Sequence, residues 1–176
     1  MGWATGLTAL LLATLLVGSA TSALRREYEL KATFVLNFAK LVQWPDGALG
    51  TATDFDIAVM ADKEQYASIE SAMDGRRVAG HLVRSRRAVS LDQLDGAHIV
   101  FVTRDSGVGA EDVVSATLGK NVLLIGESRD FARRGGAINF YTEYRKIRFE
   151  VNPEAVKKAG LQISSRLLSV AKILEN

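Results

Sequence analysis

The chain has 176 residues, 22 basic and 20 acidic side chains for a formal net charge of +2, and no cysteine. So even a balance supplies no electrostatic footprint for nucleic acid. The absence of thiols excludes disulfide support, thiol redox chemistry and a cysteine nucleophile.

Leu7 to Val17 form an apolar run too short to span a bilayer comfortably, and small residues follow as far as Ala23. This is the pattern of a secretory signal peptide over residues 1–23, cleaved after Ala23 or, as a second site, after Ala20. No Lys or Arg precedes the run, which leaves an uncleaved N-terminal anchor as the alternative. With no cysteine behind it, a lipid-modified N-terminus is excluded. Cleavage leaves about 150 residues, enough for one packed core, so residues 24–176 read as a single domain.

Glu27 to Trp44, "EYELKATFVLNFAKLVQW", contains no Gly or Pro and is closed by Pro45, which predicts a helix ending near Gln43. Glu29, Thr33, Asn37, Lys40 and Gln43 fall on a narrow polar stripe, and the remaining surface, including Phe34 and Phe38, is apolar. Such a helix is covered widely, either by its own core or in part by a second chain. "FDIAVMAD", "AHIVFVTRD" and "NVLLIGES" are near-continuous apolar runs ending in polar residues, the pattern of parallel strands buried on both faces. Helix candidates at Glu64–Met73 and Glu111–Leu118 lie between them, and "RVAGHLVRS" adds a further strand. The fold class is α/β: a mostly parallel sheet flanked by helices, with a C-terminal antiparallel hairpin and a terminal helix.

The hairpin is "GGAINFYTEYRKIRFEVNP", residues 135–153. A two-residue turn at Tyr144–Arg145 sets Ile138 opposite Val151 and Phe140 opposite Phe149 on an apolar face, and Asn139 opposite Glu150 and Tyr141 opposite Arg148 on a polar one. That polar face is either a stabilising network, with Arg148 near Glu150, or a recognition patch. Asn152 and Pro153 then predict a helix start with Gly160 as its stop, and "SSRLLSVAKILEN" predicts a final helix burying Leu167, Leu168, Ala171 and Leu174.

Catalytic signatures are wanting. "GVGAED" at Gly107 has the context of a dinucleotide loop, but Asp112 occupies the third glycine position and would repel a pyrophosphate. His81 and His98 stand apart, with His98 read as structural, and no metal-ligand spacing or cofactor motif is present. Ser164 and Ser165 are most simply caps. Asp62, Arg104 and Glu127 at strand ends lie where open α/β sheets bind ligands, and they define the alternative of a small-molecule binder or an accessory module of a histidine kinase. The basic run "RSRRAVS" reads as a solvated face.

"YELKATFVLNFAKLVQWP", "HIVFVTRD", "GGAINFYTEYRKIRFEVN" and "AGLQISSRLLSVAKIL" together resemble the YfiR family. The resemblance implies a periplasmic, non-catalytic α/β protein without a cofactor that can form a homodimer. It also implies that the protein represses an inner-membrane diguanylate cyclase by binding its periplasmic domain, and is relieved with the help of an OmpA-like outer-membrane lipoprotein, with cyclic-di-GMP and biofilm as outputs. Phe34, Phe38, Asn139, Tyr141, Arg148 and Glu150 are the candidate contact residues. Two departures stand out: there is no cysteine, so redox control is not implied, and Tyr144–Arg145 replaces the usual Asp-Gly or Asn-Gly type of pair. Those side chains disfavour positive φ, which argues for a loop wider than two residues and a shifted register.

Overall fold

A computed structural model describes residues 4–49 and 54–175, with side chains from Thr21 onward. Most of the leader expected at residues 1–23 therefore lies outside the described side chains. The elements in chain order are α1 (Ala4–Leu41), β1 (Val42–Gln43), β2 (Asp54–Met60), α2 (Lys63–Met73), β3 (Arg77–Val78), β4 (His81–Arg87), a short 3₁₀ turn (Leu91–Leu94) and β5 (Ile99–Val102). They continue with α3 (Ala110–Thr117), β6 (Leu123–Gly126), β7 (Ile138–Glu143), β8 (Lys146–Val151), α4 (Pro153–Lys158), β9 (Gln162–Ile163), α5 (Ser165–Leu168) and β10 (Lys172–Ile173).

Eight strands form one sheet in the order β10-β8-β7-β6-β5-β2-β4-β3. β4, β2, β5, β6 and β7 run parallel, while β3 is antiparallel to β4, β8 is antiparallel to β7, and β10 runs parallel to β8. Successive parallel strands lie to one side of β2 and then to the other, so the chain reverses direction across the sheet between β2 and β5. The apolar runs at β5 and β6 are buried at every residue because both faces are covered. On one face α1 and α2 enclose Phe38, Phe55, Ile57, Ile69, Ile99, Phe101 and Ile125. On the other, α3 and the turn carrying Phe131 enclose Met60, Val100, Val102, Val113 and Leu124.

The hairpin pairs Ile138 with Val151, Asn139 with Glu150, Phe140 with Phe149 and Tyr141 with Arg148, the register of the two-residue turn. The wider loop does not form: Tyr144 and Arg145 adopt φ of 47° and 62°, a primed turn made from residues that dislike it. Each left-handed residue costs about 1–2 kcal/mol, which the ladder and the apolar face beneath the hairpin must outweigh. Asn152 caps α4 by accepting from the Ala155 N–H at 3.1 Å, and Gly160 takes φ 72° beyond its end, both as the sequence predicts.

Three further expectations change. α1 stops at Leu41, because Val42 and Gln43 pair with Ile163 and Gln162 of β9. "RVAGHLVRS" makes a tight hairpin of two strands, β3 and β4, instead of one strand. The final helix is a single turn: Ser164 caps α5, and the chain then extends so that Lys172 and Ile173 pair in parallel with Glu150 and Val151. Leu167 and Leu174 are buried, while Leu168 and Ala171 are only partly covered.

Candidate functional site

The hairpin alternation separates the predicted contact residues onto two faces. On the α1 side, Phe38 lies 4.7 Å from Phe149 and 5.7 Å from Phe140 between ring centroids, and Phe34 lies 6.0 Å from each of Phe38, Phe140 and Phe149. Phe38 is 1% exposed and belongs to the core; Phe34 is half-buried at its margin. Beside Phe34 opens a groove of about 430 Å³ between α1 and α5, floored by Phe38, Phe149 and Leu167, with Val170 on its lip and Lys40 and Arg166 at its rim. Val170 is 70% exposed, and Leu30, one turn before Phe34 on α1, is also exposed.

On the opposite hairpin face, Asn139 and Glu150 are buried, and Asn139 Nδ2 donates to Glu150 Oε1 at 3.2 Å. The cation for Glu150 comes from β10: Lys172 Nζ lies 3.3 Å from Glu150 Oε2 and 5.5 Å from the centre of the Tyr141 ring. Arg148, expected near Glu150, is exposed and has no ion-pair partner among the described residues. The predicted polar patch is thus Asn139, Tyr141 and Glu150 joined to Lys172, with Arg148 projecting beyond it.

A second polar cluster ties α1 to the carboxyl end of β6. Glu127 is 4% exposed and accepts from the Tyr28 hydroxyl at 2.7 Å, from the Arg104 backbone N–H at 2.9 Å, and from Lys31 Nζ, which also meets Glu27. Burial first, and then the Glu127 charge, push the Tyr28 hydroxyl far above its ordinary value, so it stays a protonated donor.

Residues 28–172 match the YfiR/HmsC-like family. The chain belongs to that family. No curated protein matches. Among solved structures, a conserved domain protein from Vibrio cholerae O1 biovar El Tor strain N16961 is similar at TM-score 0.57 and 10% identity, over 82% of this chain and 60% of that one. The ABC domain from Streptococcus pneumonia, solved in complex with L-Trp, is similar at TM-score 0.52 and 12% identity, over 68% of this chain and 54% of that one. At such identities the likeness is one of fold, and the YfiR/HmsC-like chain spans under two thirds of the length of either. No helix among the described residues is long and apolar enough to cross a membrane.

In this YfiR/HmsC-like domain the strand-end residues are engaged structurally. Asp62 caps α2 by accepting from the Gln65 N–H at 2.8 Å, and the Gln65 amide donates to Asp105 at 2.9 Å across the β2–β5 reversal point. Glu127 is spent on α1, and the Arg104 side chain is exposed. Asp112 folds over the start of α3, with its carboxylate 2.8 Å from where a Cβ on Gly109 would sit, so the "GVGAED" turn presents an acid where an anion would bind. His98 is structural: its Nδ1 accepts the Asp56 N–H at 2.9 Å and its ring stacks 4.9 Å from Phe55. The basic run is largely tied down, with Arg84 on Asp54 at 2.6 Å and Arg86 and Arg87 on backbone carbonyls. Among the described residues no group of His, Cys, Asp and Glu is arranged to hold a metal. Sequence reasoning missed Tyr28 and Lys31. The available signal was a lysine placed off the polar stripe of an otherwise apolar helix.

Proposed function

We propose that this protein is a periplasmic, non-catalytic regulator that restrains a membrane-bound diguanylate cyclase by protein–protein contact, with the groove beside Phe34 as the contact surface. Family membership supports the regulatory class, and the export pattern over residues 1–23 supports the compartment. The observation that carries the surface is Phe34, left half-buried in an apolar groove whose lip holds the exposed Val170 and whose rim holds Lys40 and Arg166. An amphipathic segment of the cyclase's periplasmic domain fits there, its apolar side chains on Phe34 and its acids on the two cations. Release, assisted by an OmpA-like outer-membrane lipoprotein, would restore cyclic-di-GMP synthesis, and a homodimer would present two such surfaces.

The test measures cellular cyclic-di-GMP in the native host after deletion of this gene, and after re-expression of the wild-type or the Val170→Asp protein. The expected result is a rise on deletion that wild type reverses and Val170→Asp, exported at equal level, does not. No rise on deletion overturns the repressor reading; full reversal by Val170→Asp overturns the groove as the surface. The small-molecule alternative at the strand ends is weakened, since Asp62 and Glu127 are already occupied by the protein's own donors.

A further inference from the structure

We propose that the cleft between α3 and α4, on the sheet face away from α1, is a binding site for a small amphipathic organic anion, one or two rings or a short hydrocarbon chain carrying a carboxylate or sulfonate. The proposal does not depend on the cyclase reading and concerns different residues.

The cleft exists because a helix is missing. β6 and β7 are parallel neighbours, and such a crossover ordinarily carries a helix that packs on the sheet. Here residues 127–137 make the connection with turns alone. Phe131 takes over part of the helix's task, its ring occupying the space where Cβ atoms on Gly126 and Gly136 would stand, so both positions need glycine. Phe131 covers the Gly126 end. Toward the other end, Val122, Leu124 and Ala137 form the floor of a cleft of about 590 Å³ open between α3 and α4.

Its size falls within the range of small-molecule sites, and its chemistry is divided as such sites are. The floor is apolar, and Leu118 at the end of α3, 64% exposed, forms one lip; an apolar ligand body would cover it. The rim is basic. Arg133, Arg134 and Lys158 line it against a single acid, Glu154. Arg134 leans to Glu111 at 3.6 Å, whereas Arg133 and Lys158 have no ion-pair partner among the described residues. Two uncommitted cations, Arg133 from the β6–β7 connection and Lys158 from α4, the first a guanidinium able to grip a carboxylate with two hydrogen bonds, select an anionic head, and the floor selects an apolar tail.

The experiment titrates the purified protein with 1-anilinonaphthalene-8-sulfonate, read by fluorescence, with octanoate as a non-fluorescent competitor. The variants are Arg133→Glu/Lys158→Glu, which reverses the rim, and Val170→Asp, which alters only the groove beside Phe34; circular dichroism melts show that each is folded. The expected result is one saturable site displaced by octanoate, weakened at least about tenfold by rim reversal and unchanged by Val170→Asp, as loss of charge-assisted bonds predicts. Absence of saturable binding overturns the proposal. So does binding that rim reversal spares, or that Val170→Asp removes, or that the uncharged N-phenyl-1-naphthylamine reproduces with equal affinity.

Discussion

α1 meets the sheet at two places about 15 Å apart along its axis, and the two contacts are built on different physics. Around Tyr28 and Lys31 the contact is polar and buried, with Glu127 accepting three donors, two from α1 and one from the backbone of Arg104 after β5. Ten residues on, around Phe38, the contact is aromatic and depends on area and ring geometry. A buried ion pair adds little net stability over an apolar substitute, because desolvation offsets attraction, but its geometry is exacting. The first contact therefore fixes where α1 sits, and the second supplies most of the adhesion. The open groove lies at the edge of the second, where Phe34 is only half-covered. The surface proposed for partner contact is thus carried on a helix that is pinned at Tyr28 and Lys31.

That contrast is open to breakage. Glu127→Ala leaves Lys31 buried without its principal partner and is expected to cost about 3–5 kcal/mol by urea unfolding, whereas Lys31→Met combined with Glu127→Leu recovers most of the loss. A double variant as unstable as the single one would show that the pair stabilises in its own right. Phe38→Ala is expected to cost about 3 kcal/mol through lost burial and a residual cavity, and Phe34→Ala less than half as much. Equal costs would mean that Phe34 is core and the groove is closed in solution.

A smaller effect extends the comparison to His98, a buried polar group whose partner is a backbone N–H. Burial holds its pKa below the ordinary 6.5. The unfolded chain therefore takes up the proton first, so stability present above pH 6.5 is lost as pH falls through the folded-state value. Melting temperatures measured from pH 7 to 5 are expected to decline in the wild type and to flatten in His98→Asn, which keeps an acceptor for the Asp56 N–H. The smallest effect is expected for Arg148→Ala: the exposed side chain changes stability by less than about 0.5 kcal/mol, so any loss of partner affinity would report recognition.

Local pattern made the hairpin legible down to its register, since alternation on both strands admits one pairing in which Phe140 and Phe149 share a buried face. It misled about the turn, because the cost of positive φ at Tyr144 and Arg145 is local and the ladder that overrides it is not. The last segment failed for a similar reason. Leu167, Leu168, Ala171 and Leu174 suit a helical period, yet an available edge on β8 draws Lys172 and Ile173 into a strand. At the candidate site, Phe34 and Phe38 were visible as apolar positions on a helix. Lys31 was not visible as a buried residue, because its partner lies 96 positions away. Lys172, which completes the Asn139–Glu150 pair, is likewise known only through topology.

β10 has a consequence for solubility. The outer margin of β8 is the border of the whole sheet, and β10 covers it only opposite Glu150 and Val151. The rest of that margin carries Lys146 and Arg148, charges that discourage a second sheet from adding on. Two short devices thus protect one border, a strap where the strand is buried, and cations where it is exposed. Removing the strap by ending the chain before Lys172 would bare the backbone of Glu150 and Val151 and free the Glu150 carboxylate together. The expected result is a protein that folds but self-associates through its sheets.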